Sequence, residues 1–305
     1  MDIKDRLKLG LNVVIKKKPY IAGVCSSLTC KDCSVEDTFD LEQNKEILPF
    51  VSTCFPAIGS LPDNRIKNAF IDLLKQKTDG KTIFLICGAS STGKDTLASL
   101  VKENLYYRDE KTEFSYCKKY TTRDRRANEG FDEYSKKLEP SGNYIYCKTL
   151  EEMKSYKIDL EYTLYGCHYG LSKEDLSSSE PSKHHLACIY GKLENIANVK
   201  QEIFEKYNRI PFSILIKAPI EALNHRINGR HTMSKSEKSD RVKEMERQSR
   251  FIESKGQEFE ANFDLVINNG NNERLSKNAH LMTKFIHGST QWANQSLQQT
   301  ANPFS

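Results

Sequence analysis

Thr82-Ile-Phe-Leu-Ile-Cys-Gly88-Ala-Ser-Ser-Thr-Gly93-Lys94-Asp95-Thr96-Leu97 decides the architecture. An apolar hexapeptide runs into Gly88-x-x-x-x-Gly93-Lys94, and Asp95 to Asn104 continues at helical spacing. A buried strand that breaks at glycines and resumes as a helix turns backbone N–H groups inward. It adds the positive end of the helix to the same point, and this is where a polyphosphate is held. On that spacing Gly88, Ala89, Ser90, Ser91, Thr92 and Gly93 form the cradle. Lys94 reaches the β- and γ-phosphates as a point charge, and Thr96 is left for the α-phosphate. The next position, where a Ser or Thr hydroxyl usually holds Mg²⁺, is Asp95. A carboxylate serves that ion directly or through water, since Mg²⁺ prefers oxygen ligands and keeps several waters. ATP and Mg²⁺ are therefore the expected ligands of the segment.

Outward from the loop, short apolar runs alternate with longer amphipathic ones across 81–285. The pattern predicts an α/β fold, a P-loop NTPase-type parallel sheet sandwiched by helices. The predicted buried strands are Thr82–Cys87, His185–Tyr190, Phe212–Ile216 and Leu265–Ile267, each a continuous apolar run because both sheet faces are covered. Residues 1–80 form a separate cysteine-containing region, in which Ile66, Phe70, Leu73 and Leu74 recur at helical spacing. The stretch 286–305, rich in Gln, Asn and Ser, is expected to be disordered.

The 305 residues carry a formal charge of +5, mild enough to suit phosphate handling without arguing for nucleic acid. No apolar run approaches the roughly 18 residues of a membrane span. The N-terminal residues lack a secretory pattern, so a cytoplasmic protein with reduced thiols is expected. Of nine cysteines, Cys87, Cys117, Cys147, Cys167 and Cys188 read as small apolar residues. Cys25, Cys30, Cys33 and Cys54 cluster. Their spacing fits a four-thiolate zinc site, the start of a ferredoxin-type iron–sulfur ligand set, or unligated thiols.

Tyr120-Thr-Thr-Arg123-Asp-Arg-Arg126-Ala-Asn-Glu129-Gly130-Phe-Asp-Glu-Tyr134 resembles the acceptor-binding segment of guanylate kinases. The resemblance implies that Arg123 and Arg126 grip an acceptor phosphate and that Tyr134 hydrogen-bonds it, which suits the bidentate pairing of guanidinium with phosphate. Asp159-Leu-Glu161-Tyr and Tyr169-Gly-Leu171-Ser172 are similar to a second family segment. By that match Glu161 reads the base edge and Tyr169 contacts the acceptor phosphate. Leu171 stands where many members carry a base-contacting hydroxyl, and Lys119 where several carry a serine. The family's Asp-rich strand end is replaced by Ala187-Cys188-Ile189-Tyr190, leaving Glu194 as the nearest carboxylate. Arg230 and Arg241 fall at the family's lid spacing, which implies that they close over the transferred phosphoryl group. Asn269, after the final strand, matches an adenine contact.

The resemblance spans about two-thirds of the chain and implies acceptor-binding and lid subdomains. It also implies an activity, transfer of the γ-phosphate of ATP to a small phosphorylated acceptor: a nucleoside monophosphate, GMP first. Two alternatives stand beside it. Bacterial ribose bisphosphate phosphokinases look similar and also carry Gly-Lys-Asp in the loop. Guanylate-kinase-like modules of membrane scaffold proteins bind partners without catalysis.

Overall fold

The computed structural model describes residues 78–107, 114–125, 144–229, 235–260, 262–270 and 274–300. The region 1–77, with Cys25, Cys30, Cys33, Cys54 and the expected helix at 64–76, lies outside them, as do Arg126, Tyr134 and Arg230.

Two sheets organise the chain. The first is five-stranded and parallel throughout. Its strands are β1 (Thr82–Cys87), β2 (Phe114–Tyr116), β7 (His185–Tyr190), β8 (Ile210–Lys217) and β9 (Leu265–Asn268), in the order β2-β7-β1-β8-β9. The second contains β3 (Lys119–Thr121), β4 (Tyr144–Tyr146), β5 (Ile158–Leu164) and β6 (Cys167–Ser172), in the order β4-β3-β6-β5. Helices α1 (Lys94–Tyr107), α2 (Leu150–Ser155), α3 (Lys173–Ser177), α4 (Ile196–Tyr207), α5 (Ile220–Asn228), α6 (Lys235–Glu260) and α7 (Leu275–Thr300) complete the fold. It is the expected α/β sandwich.

Strand pleat sorts the apolar runs into two cores. Phe84, Ile86, Phe212 and Ile214 face α1 and α7, where they meet Leu97, Val101, Phe285 and Ile286. Ile83, Leu85, Cys87 and Leu215 face the other way, toward Val199 and Ile203 of α4 and Ile252 and Phe259 of α6. Cys117 and Cys188 join this second core, and Cys147 a smaller one, so these thiols act as the small apolar groups expected. Behind the sheet, Lys200 lies 2.7 Å from Asp264, whose carboxylate also accepts from the backbone N–H of Ser213. That buried pair ties α4 to the entry of β9.

The tail departs from expectation. Residues 286–300 continue α7 rather than being disordered. Ile286, Ser289, Thr290 and Ala293 form a buried helical stripe, and Asn294 donates to Nε2 of His185 across 3.2 Å. Composition misleads here because small polar residues pack against a sheet as closely as alanine does. His185 accordingly presents Nδ1–H to Thr82 Oγ1 at 2.9 Å.

Burial, helped by the charges of His184 and Arg209, lowers the His185 pKa from 6.5 to about 4. The folded state resists this proton while the unfolded chain accepts it. The associated stability is therefore present above pH 6.5 and lost as pH falls toward 4, at most about 3 kcal/mol. Urea titrations at pH 7 and pH 4.5 check this. His185→Gln is expected to flatten the acid limb, and an unchanged pH slope in that variant refutes the assignment.

Candidate active site

The loop between β1 and α1 has the geometry its glycines foretold. Gly88 sits at φ +146° and Gly93 at φ +92°, conformations open to glycine and strained for other residues. Thr92 bonds back to Ala89 through both backbone and hydroxyl, and Leu97 N–H closes the first helical turn on Gly93. Lys94 folds over this turn, donating to the carbonyls of Gly88 at 2.8 Å and Ala89 at 2.7 Å. Asp95 and Thr96 lie exposed on the first turn of α1.

Two arginines brace or face the loop. Arg226 of α5 donates to the Ser91 carbonyl at 3.3 Å and the Asn269 carbonyl at 2.9 Å. Arg241 of α6 is buried. Its Nη1 donates to Ser90 Oγ at 3.1 Å, its Nε pairs with Glu237 at 3.0 Å, and its guanidinium stacks 4.8 Å from the Tyr165 ring centre. The expected lid residue is thus in contact with the phosphate loop.

The second sheet supplies the opposite wall. Arg123 leaves the end of β3, donates to Tyr146 OH at 3.4 Å, and lies over the Tyr144 and Tyr146 rings. Tyr169 is buried and stacked on Tyr162 with ring centres 5.3 Å apart. Burial raises its phenol, while Arg123 and Arg241 pull it back. Lys119 projects from the same face into the rings of Tyr144, Tyr162 and Tyr169, with its Nζ 2.5 Å from the Ile189 carbonyl. Burial lowers the Lys119 ammonium to about 8. Cys188 and Asp95 oppose that shift, while Lys94 and Arg123 reinforce it. The geometry links loop and sheet at two points: Arg241 touches both Ser90 and Tyr165 of the β5–β6 turn, and Lys119, which shares the Tyr144 ring with Arg123, reaches the carbonyl of Ile189, the ladder partner of Ile86.

Two expected roles change. Glu161 does not join these residues. It is exposed, and its Cγ lies beside Gly170 and near Met153 and Ile158, on the sheet face opposite Lys119 and Tyr169. Leu160, at φ +51°, sits in a register shift between β5 and β6, and Leu160 and Tyr162 take the inward positions on either side of Glu161. Asn269 is buried, with its amide donating to the Thr92 carbonyl at 2.8 Å and accepting from Asn278 at 3.1 Å. It braces the phosphate loop instead of presenting its amide to a base. Glu194 is engaged by Arg247 of α6 at 2.5 Å. Ser172, the hydroxyl beside Leu171, caps α3 by accepting from Asp175 N–H.

A cavity of about 550 Å³ borders the loop, lined in part by Ala89, Thr92, Pro219, Asn268, Gly270 and Arg274. Its volume falls within the range of small-molecule ligand pockets. For Mg²⁺ the side chains suit an ion held chiefly by phosphate oxygens: among the described residues Asp95 stands exposed directly after the loop, and β7 ends in Cys188 and Tyr190. Among the described residues no three His, Cys, Asp or Glu side chains gather as a metal site, and no helix is long and apolar enough to cross a membrane.

No protein-family model matches the chain, and no curated protein matches it. Among solved structures the chain is similar to the guanylate kinase from Anaplasma phagocytophilum. The match has 16% identity and a TM-score of 0.46, and it covers 74% of this chain and 97% of that one.

Proposed function

We propose that this protein is an ATP-dependent phosphotransferase acting on a small phosphorylated acceptor, with nucleoside monophosphates the first class to assay and GMP the first member. The observation that carries it is a chain of contacts: Lys94 folded over the β1–α1 loop, Arg241 joining Ser90 of that loop to Tyr165 of the second sheet, and Arg123 on the same sheet over the Tyr144 ring that Lys119 also approaches. Phosphoryl transfer needs little covalent help from a protein. Positioning and neutralisation of charge on the equatorial oxygens carry the rate. The loop amides and Lys94 hold the donor phosphates. Arg241, joined by Arg230, covers the group in transit, and Arg123, with Arg126 and Tyr134, orients the acceptor phosphate. Tyr169 stiffens that wall. Asp95 would hold Mg²⁺ together with phosphate oxygens, and the ion would neutralise charge between donor and acceptor.

The test is ADP release from ATP across a panel of nucleoside monophosphates and ribose 1,5-bisphosphate, with wild type and Lys94→Ala side by side. Turnover with at least one acceptor is expected, falling about 10²–10³-fold in the variant, the usual effect of removing one preorganised charge donor. A wild-type protein that fails to bind ATP, with Lys94→Ala indistinguishable from it, is the result of a non-catalytic module and refutes the enzyme. A sugar-phosphate acceptor is the second reading. The outward direction of Glu161 favours it, because the cleft then lacks that carboxylate to accept from the N–H donors of guanine.

A further inference from the structure

Lys119 is an unusual object. Lysine is seldom buried without a carboxylate partner, because an ammonium loses hydration that a neutral cage returns only in part. Here the side chain is 5% exposed, and its hydrogen-bond partners among the described residues are a carbonyl and a phenol: Ile189 O at 2.5 Å and Tyr144 OH at 3.5 Å. Three tyrosine rings surround it, with centres 5.1 to 5.5 Å from Nζ, within the range of cation–π attraction. An ammonium carries three donors, so one proton remains for a further acceptor.

The location matters as much as the cage. Ile189 pairs with Ile86 in the parallel ladder, one strand over from β1 and two residues before the loop begins at Gly88. The ammonium thus stands at the foot of the cleft. The Tyr144 ring that its Nζ approaches to 5.1 Å also carries the Arg123 guanidinium, 5.8 Å from the ring centre. Among the described residues no carboxylate bonds this ammonium: Glu161 points outward, Glu194 is engaged by Arg247, and β7 ends in Cys188 and Tyr190.

We propose that Lys119 selects the acceptor, its caged ammonium binding an anionic oxygen group at the end of the molecule remote from the phosphate that Arg123 grips. The substrate class is then a small bis-anionic acceptor, in which two negatively charged oxygen groups flank a short polar body. A nucleobase edge that offers N–H donors is disfavoured, because donors would meet a cation. This rests on the phosphotransferase reading for the identity of the cleft but not on turnover.

Binding calorimetry on the full chain separates the two. Ribose 1,5-bisphosphate, GMP and an unreactive ATP analogue are titrated in turn into wild type, Lys119→Met and Lys119→Arg. The bisphosphate is expected to bind wild type about 10-fold or more tightly than GMP, the worth of a charged hydrogen bond. Lys119→Met should bring the ratio near one, and Lys119→Arg should retain part of it, with the ATP-analogue affinity unchanged in both. Lys119→Met removes a buried charge but also the donor to the Ile189 carbonyl, so a thermal scan of each variant confirms that it is folded at the titration temperature. Equal or tighter binding of GMP, a preference that survives Lys119→Met, or no binding of either acceptor overturns the assignment. Loss of the ATP-analogue signal in wild type counts against the phosphotransferase alone and leaves the acceptor comparison standing.

Discussion

Arg209→Met is expected to remove about 3–5 kcal/mol of folding stability while leaving the affinity for ATP unchanged below the melting transition. Arg209 has no exposed surface, yet it carries a charge, and among the described residues its hydrogen bonds go to main-chain carbonyls. Its guanidinium donates to main-chain carbonyls: Leu176 at 2.7 Å, Asp175 and Ser178 at 3.1 Å, His184 at 2.9 Å, and Thr82 at 3.4 Å. The fork therefore closes the C-terminal end of α3 and fastens it to the entries of β1 and β7. Burial lowers its pKa to about 10, with Cys117 and Asp175 opposing, so it stays charged at neutral pH. Methionine fills much of the volume and supplies no donor. Each stranded carbonyl costs about 1–3 kcal/mol, and release from burying the charge offsets part of that sum, which leaves the net loss of about 3–5 kcal/mol. For a domain of this size the thermal midpoint should fall by about 10 °C.

Lysine at the same place offers three donors without the planar fork, so Arg209→Lys should lie between the two. Thr82 begins β1 and Gly88 follows its end, about 20 Å away at strand rise. An ATP titration well below the midpoint should therefore not move. A midpoint shift under about 2 °C in Arg209→Met would show that the carbonyls find other partners and would sink this account.

The contrast between Arg209 and the loop marks where sequence reading succeeds. Strands β1 and β7 were legible to the residue, because a parallel strand covered on both faces is written as an unbroken apolar run. Strand β8 starts two residues earlier than its apolar run suggested, at Ile210. Pro211 reads as a breaker, yet the ladder accommodates it opposite Ile83. The four-stranded sheet was not legible. Lys119–Thr121 and Tyr144–Tyr146 are too short to show a period, and their pairing is set by contacts remote in sequence.

The site divides in the same way. The β1–α1 loop is local, so its spacing carried its conformation. Arg123 and Arg241 came from a family pattern; Arg241 meets Ser90 of the loop, and Arg123 lies over the Tyr144 and Tyr146 rings of the second sheet. Glu161 was assigned to the acceptor site because spacing does not report which sheet face a residue takes, and a register shift at Leu160 lies beside it. The braces, Asn269 on Thr92 and Arg226 on Ser91, had no signal beyond their residue type. Lys119 was visible as a departure from the family pattern, but its cage comes from β4, β5 and β6 and could not be assembled without the fold.

The second large effect is expected from the loop itself. Gly88→Ala should lower stability by about 2–4 kcal/mol and weaken binding of an ATP analogue by 100-fold or more, on the order of what re-aiming one preorganised charge site costs. Two independent causes act together. The backbone at φ +146° is a conformation that an alanine reaches only with strain. A Cβ built there would also lie 2.3 Å from the Ile216 carbonyl oxygen and 2.9 Å from Thr92 Oγ1. The carbonyl belongs to the end of β8, a strand of the central sheet, so the loop must yield instead. Yielding re-aims the loop amides on which the proposed ATP site depends.

Gly93→Ala offers the control. Its φ of +92° is strained as well, but the added Cβ meets only the Asn269 amide, at 2.5 Å. A side chain can swing away, giving up its bond to the Thr92 carbonyl. Gly93→Ala should therefore cost less stability than Gly88→Ala, and Gly93→Ala with Asn269→Ala should cost little more than Gly93→Ala alone. Thermal midpoints and analogue titrations on the four proteins decide the matter. If Gly88→Ala proves the milder of the two glycine variants, the contact with β8 is not what fixes the loop.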